Sequence, residues 1–216
     1  MRSLILCAAV DDELASLLPW LRPEGEGLRG RIHEVEVRAA AIGVGPVDAA
    51  LGAAAVFRGQ RADAAVLLGT CGAFPSSGLE LGGAVVVERS ILTASDAATG
   101  RSYVPPLAAA PALAEPGLVR RLSAGAGIPA VSCATVAAIT SSAEEAKALS
   151  SFSGCQVEHM EAHAFLRAAE LAQIPAACLL GVANEVGPLG HEQWKTHGAA
   201  ASAAAIDHLL RGIAAL

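Results

Sequence analysis

The sequence predicts a single α/β domain over residues 1–216, a β-sheet flanked by crossover helices. Three observations point there. Short apolar runs alternate with helix-like patterns along the chain. A length of 216 residues, 53% hydrophobic and 17% charged, suffices for one large core. No linker and no solenoid-period repeat divides the chain. The apolar runs fall short of the roughly 18–20 residues of a membrane helix, so no membrane partner is expected. The charge balance, 15 basic against 21 acidic residues and a net −6, lacks the basic clusters of a nucleic-acid footprint.

The first apolar run, residues 4–10, follows Met1-Arg2 and mimics a secretion signal, yet it ends in Asp11-Asp12-Glu13 without a cleavage region and is expected as a buried strand. A helix is expected over 12–21, a strand over 32–42, and a helix over 46–58 with Pro46 in its first turn. Strands follow over 64–69 and 83–88. Residues 93–116, with Pro105, Pro106, Pro111 and Pro116, form the longest irregular stretch and are expected as a lid or insertion beside a site. Next come a helix over 118–124, a strand over 130–139 and a helix over 142–150, where Ser141-Ser142 and Glu144-Glu145 supply a cap and an acidic first turn. A helix over 161–172, a strand over 176–183 and a final helix from about 192 to 216 complete the chain. Cys7, Cys71, Cys133, Cys155 and Cys178 have no CxxC or zinc-like spacing and are expected as reduced core thiols of a cytoplasmic protein.

Most familiar motifs are incomplete or missing. Gly43-Val44-Gly45 precedes a helix, but Asp48 stands where a dinucleotide fingerprint needs glycine. GxxxxGK[ST] and GxSxG do not occur. His159 and His163 sit in HMEAH instead of HExxH, so no metal is expected. What remains is polar residues at strand ends, where open α/β sheets form ligand crevices. They are Asp11-Asp12-Glu13, Gly69-Thr70-Cys71-Gly72, Glu158-His159-Met160-Glu161 and Asn184-Glu185. Taken singly, each has an ordinary structural role as a macrodipole partner or a turn former.

Taken together, the chain resembles the nucleoside phosphorylase and nucleosidase superfamily, and within it the futalosine hydrolase family. The resemblance rests on Gly43-Val44-Gly45-Pro46, Leu68 through Ala73, Val136 through Thr140, Glu158-x-Met160-Glu161, and Asn184-x-Val186-Gly187 with Trp194 downstream. It implies a central mixed sheet, no cofactor, a homo-oligomer (dimer or larger), and hydrolytic release of a purine from a small-molecule nucleoside, the hypoxanthine-releasing step of an alternative menaquinone route. Glu13 matches the carboxylate that activates water, Glu161 the glutamate that takes the ribose 2′ and 3′ hydroxyls, and Met160 the residue packed on the sugar. Thr70, Cys71, Gly72 and Thr140 belong to the matching substrate-binding segments. Trp194 either closes over the base or packs the final helix.

Asn184 matches an aspartate in adenine-releasing nucleosidases. An amide donates to O6 or N7 of a 6-oxopurine but delivers no full proton, which favours hypoxanthine or guanine as leaving base. Phosphorolysis would need cations, and the first loop is acidic, leaving Arg61, Arg89 and Arg101 as the arginines whose convergence would restore it. Arg101 is also a candidate for the carboxylate of a futalosine-type 5′ substituent. Methylthioadenosine/S-adenosylhomocysteine nucleosidase, purine nucleoside phosphorylase and a non-catalytic purine-binding protein remain the alternatives.

Overall fold

In the computed structural model, which describes residues 1–214, the leading apolar run forms β1 (Ser3–Ala8). Its residues from Leu4 to Ala8 are buried because parallel strands flank it on both edges. A 3-10 turn over Asp11–Leu17 follows, then the hairpin β2 (Leu21–Glu24) and β3 (Gly27–Ile32), β4 (Val35–Ala41), α1 (Gly45–Phe57) and β5 (Ala64–Ala73). The second half comprises β6 (Ala84–Leu92), α2 (Ser95–Ala98), β7 (Ala112–Leu113), α3 (Pro116–Ala126) and β8 (Ala130–Thr135). It ends with α4 (Ala143–Ser153), β9 (Val157–His159), α5 (Ala162–Ala172), β10 (Ala176–Glu185) and α6 (Gly190–Ala214).

The mixed sheet is organised around β5. On one edge β5 pairs in parallel with β10 along nearly its whole length. On the other edge its first half pairs with β1, up to Leu67, while Gly72 and Ala73 pair with β9. The sheet runs from β1 through β4 and β3 to β2, and from β10 through β6 and β8 to β9, which closes back on β5. Between the end of β1 and the start of the β9 pairing, β5 has no neighbour on that edge, and the cleft opens there. Helices α1 and α5 pack together, with the Phe57 and Phe165 rings 5.7 Å apart, while α6 lies along β10 and β5.

Several predicted boundaries move for local reasons. The helix expected over 12–21 is a 3-10 segment that stops at Leu17, and Pro19 beyond it has no N–H to continue a ladder. The strand expected over 32–42 divides at His33, whose φ of +51° turns the chain between β3 and β4. Gly25, at φ +62°, makes the two-residue turn of a hairpin the apolar pattern missed. β5 continues through Gly69-Thr70-Cys71-Gly72, which is strand and not the loop after one. Residues 93–116 contribute α2, which packs on α4, and β7, and none of them lines the cleft. Residues 215 and 216 of the expected last helix lie outside the described residues. All five cysteines are free and buried, and among the described residues no helix is long and apolar enough to cross a membrane.

Candidate active site

The cleft is a cavity of about 520 Å³ walled by the ends of β1, β5, β9 and β10 and by the first turns of α1 and α6. Of the acidic triplet after β1, only Glu13 turns into it. Its carboxylate lies against Gly69, where an added Cβ would come within 3.0 Å of Glu13 Oε1, and a φ of +151° further favours glycine there. The Ala9 N–H donates to Oε2 at 3.1 Å, and Ser202 of α6 donates to the Glu13 carbonyl at 3.1 Å. Burial, reinforced by the negative Glu161, pushes the Glu13 carboxyl up to about 7, against the opposing pull of the Ala9, Val10 and Thr70 amides. A carboxylate poised near neutrality accepts a proton from bound water with useful driving force.

Glu161 stands at the entrance to α5 and is 4% exposed. Its Oε1 accepts from the Gly45 N–H at 2.7 Å, which ties the last residue of the Gly43-Val44-Gly45 segment to this carboxylate. The Glu161 and Ala162 amides both donate to His159 Nδ1 at 3.1 Å. Met160 lines the cavity beside Gly45. His163, the other half of the HMEAH pair, faces the Ser90 carbonyl instead, at 3.1 Å. The two imidazoles have separate protein partners and do not converge on one point.

At the other end, the β5–β10 register skips at Ala183, and Asn184 is carried over Gly72 by this bulge. A Cβ on Gly72 would sit 2.8 Å from Asn184 Nδ2 and 2.9 Å from Val186, so only glycine leaves room. One Asn184 N–H donates to the Glu185 carbonyl at 3.0 Å, which fixes the amide's orientation and leaves its other N–H without a partner among the described residues. Trp194 donates from Nε1 to Thr70 Oγ1 at 3.1 Å and stacks on His191 with ring centroids 6.1 Å apart. It is the one Phe, Tyr or Trp residue in the described wall: Phe74 and Phe165 are core, while Tyr103 and Phe152 are exposed elsewhere. Cys71 also lines the cavity, but burial pushes its thiol up to about 12, so it stays protonated.

Thr140 lies one layer back from its expected position. Its amide and hydroxyl donate to the buried Glu158 at 3.1 and 2.6 Å, and its neighbours Ile139 and Ser141 reach the cavity. Burial raises the Glu158 carboxyl, and these two bonds oppose that shift. Sequence reasoning missed Glu158, His159 and His191 as wall residues, although the first two lay in a segment already singled out. None of the three candidate arginines lines the cavity. Arg101 pairs with Asp96 and Glu145 at 2.6 and 2.8 Å, Arg89 bonds Ser132 at 2.8 Å, and Arg61 is exposed. Among the described residues the wall therefore carries three glutamates and no arginine or lysine.

A sheet that splits around a cleft walled by carboxylates, an amide and one indole defines an α/β protein with a small-molecule site at its strand ends. The sequence model of the phosphorylase superfamily matches residues 7–214, and the chain belongs to that superfamily. Futalosine hydrolase of Thermus thermophilus is 32% identical, over 78% of this chain and 78% of that one. Among solved structures, the 5′-methylthioadenosine/S-adenosylhomocysteine nucleosidase of Neisseria meningitidis in complex with methylthio-immucillin-A superposes with a TM-score of 0.87 at 17% identity, covering all of both chains. The futalosine hydrolase of Helicobacter pylori also superposes with a TM-score of 0.87, at 14% identity over 100% of this chain and 98% of that one.

Proposed function

We propose that this chain, read as one domain over residues 1–216, is a nucleosidase that hydrolyses a futalosine-type purine nucleoside and releases hypoxanthine. The observation that carries it is the cavity wall itself, where Glu13 faces Glu161 with no arginine or lysine among the described lining residues. Dianionic phosphate would meet two like charges there, whereas water meets a carboxylate able to take its proton. The oxocarbenium-like sugar that forms as the glycosidic bond breaks is stabilised by the same negative charges.

In this account Glu13 activates water, and Glu161 receives the ribose hydroxyls with Met160 packed on the sugar. Thr70, Cys71 and Gly72 form the floor beneath the glycosidic bond, and Trp194 covers the base. Thr140 acts through Glu158 by holding the 136–141 segment. Asn184 directs its second amide N–H to O6 or N7 of the leaving purine. The 5′ substituent lies against the apolar side of the cavity, where Val44 and Ile139 are found. The chemistry needs no cofactor, metal, nucleic acid or membrane, and suits a cytoplasmic enzyme of the menaquinone route.

Purified protein incubated with futalosine, inosine and methylthioadenosine, followed by separation of the released bases, is expected to yield hypoxanthine from futalosine fastest. Base release from none of them would discard the enzymatic reading. Asn184→Asp is expected to shift the preference toward 6-aminopurines by about tenfold, since one changed hydrogen bond is worth about 1–2 kcal/mol. An unchanged ratio of methylthioadenosine to futalosine cleavage would refute the assignment of Asn184 to the base.

A homo-oligomer is part of the same proposal. Val44, Val47 and Leu51 lie 54%, 69% and 68% exposed along one side of the α1 region, beside the cavity mouth. Covering that stripe with a second copy would also shield the cleft. Light scattering at micromolar concentration is expected to give at least twice the chain mass, and a monomer mass would overturn this part.

A further inference from the structure

We propose that His159 is a positioning residue for Glu161: one imidazole caps α5 through one nitrogen and presents its remaining N–H to the carboxylate through the other. The inference rests on the reading of Glu161 as the group that receives the sugar hydroxyls.

The tautomer follows from the backbone. His159 Nδ1 lies 3.1 Å from the amide nitrogens of both Glu161 and Ala162, and both are donors. Nδ1 must therefore offer a lone pair, and the single proton of a neutral imidazole sits on Nε2. Burial holds the ring neutral, outweighing the pull of the nearby Glu161. Nε2 is 3.4 Å from Glu161 Oε2, while Oε1 of the same carboxylate is taken by Gly45. The carboxylate is thus bracketed by a backbone N–H on one oxygen and an imidazole N–H near the other.

At 3.4 Å the second contact is longer than a formed hydrogen bond, and contacts of this kind tighten when a ligand fixes the acceptor. Serine, threonine, asparagine or aspartate would satisfy the two amides equally well. What the imidazole adds is a second nitrogen on the far side of its ring, and here that nitrogen lies 3.4 Å from Glu161 Oε2.

Two substitutions separate the functions. His159→Asn keeps an acceptor near the Nδ1 position and deletes the Nε2 donor, whereas His159→Gln keeps a donor near Nε2 and loses the cap. The readout is the kcat/KM preference for futalosine over its 2′-deoxy analogue, which reports the grip on the sugar. His159→Asn is expected to melt at the wild-type Tm with that preference lowered about tenfold, the usual scale for loss of a partner that orients a functional ligand. His159→Gln is expected to show a lower Tm with the preference retained.

Glu161→Ala is the control. If it leaves the preference intact, the diol reading of Glu161 is wrong and the proposal falls with it. If Glu161→Ala abolishes the preference and His159→Asn does not, Glu161 keeps its role and His159 is only a cap, which overturns the proposal alone. Nitrogen-15 NMR of the ring stands apart from turnover. A proton on Nε2 whose resonance moves in Glu161→Gln is expected; a proton on Nδ1, or an Nε2 resonance indifferent to that substitution, overturns the assignment.

Discussion

Replacing Glu13 by glutamine is expected to slow purine release by about 10²- to 10⁴-fold, the range for removal of a general base, with nucleoside affinity retained within a few-fold. The side chain keeps its volume beside Gly69 and its Ala9 contact but no longer accepts a proton. Product quantification under saturating nucleoside and calorimetry of binding separate the two effects; full turnover in Glu13→Gln would remove Glu13 from the chemistry. In the wild type, kcat/KM is expected to rise through a midpoint near pH 7, where the buried carboxyl ionises.

The same group makes a stability statement. Its folded pKa of about 7 lies above the ordinary value of 4.5, so the native state holds this proton more tightly than the unfolded chain does. The resulting stability is fully present below pH 4.5 and is lost as pH rises through 7, by about 3 kcal/mol. Glu13→Gln is accordingly expected to melt above the wild type at pH 8, with the gap closing toward pH 5. Equal Tm differences at both pH values would show that ionised Glu13 carries no burial penalty.

Glu161→Gln is the second large effect. The carboxylate is bracketed by Gly45 and His159 and offers its remaining lone pairs to the cavity. Exchanging charge-assisted bonds to two hydroxyls for a neutral amide is expected to lower kcat/KM by about 10²-fold, given about 1.5 kcal/mol for each such bond. Glu161 also raises the Glu13 carboxyl by like-charge repulsion. The substitution is therefore expected to move the rising limb of the pH profile below pH 7 as well. A pH–rate profile with an unmoved midpoint would contradict the coupling between the two carboxylates.

Much of this architecture was legible in the sequence where apolar runs were long. β1 and β10 are continuous buried runs, so their ends, and with them Glu13 and Asn184, could be read as cleft residues. β9 has only three residues, too few to show a period, and without it the closure of the sheet on β5 was invisible. Gly69 and Gly72 read as a turn, but they are gaps in a strand that admit Glu13 and Asn184, and which residue crosses a glycine is fixed only by tertiary pairing. Likewise Arg101 looked free until α4 brought Glu145 beside it. His159 stands out in the sequence as half of an incomplete metal pattern and as one of the strand-end polar residues, with no partner assigned. Its role depends on the direction of two amides at the α5 entrance, which residue spacing does not encode.

Trp194 shows the reverse case. With four Phe, two Trp and one Tyr in the chain, few rings were available to meet a purine, and the structure leaves this one in the described wall. Composition alone had narrowed the choice, and a single hydrogen bond to Thr70 settled the indole's position.

The central claim, water activated by Glu13, is tested most directly by timing hypoxanthine release from futalosine in wild type and Glu13→Gln, each with and without added phosphate. The expected result is a wild-type rate indifferent to phosphate and a rate at least about 10²-fold lower in Glu13→Gln under both conditions. Release that requires phosphate and leaves a sugar 1-phosphate, or release that survives the substitution, would contradict it.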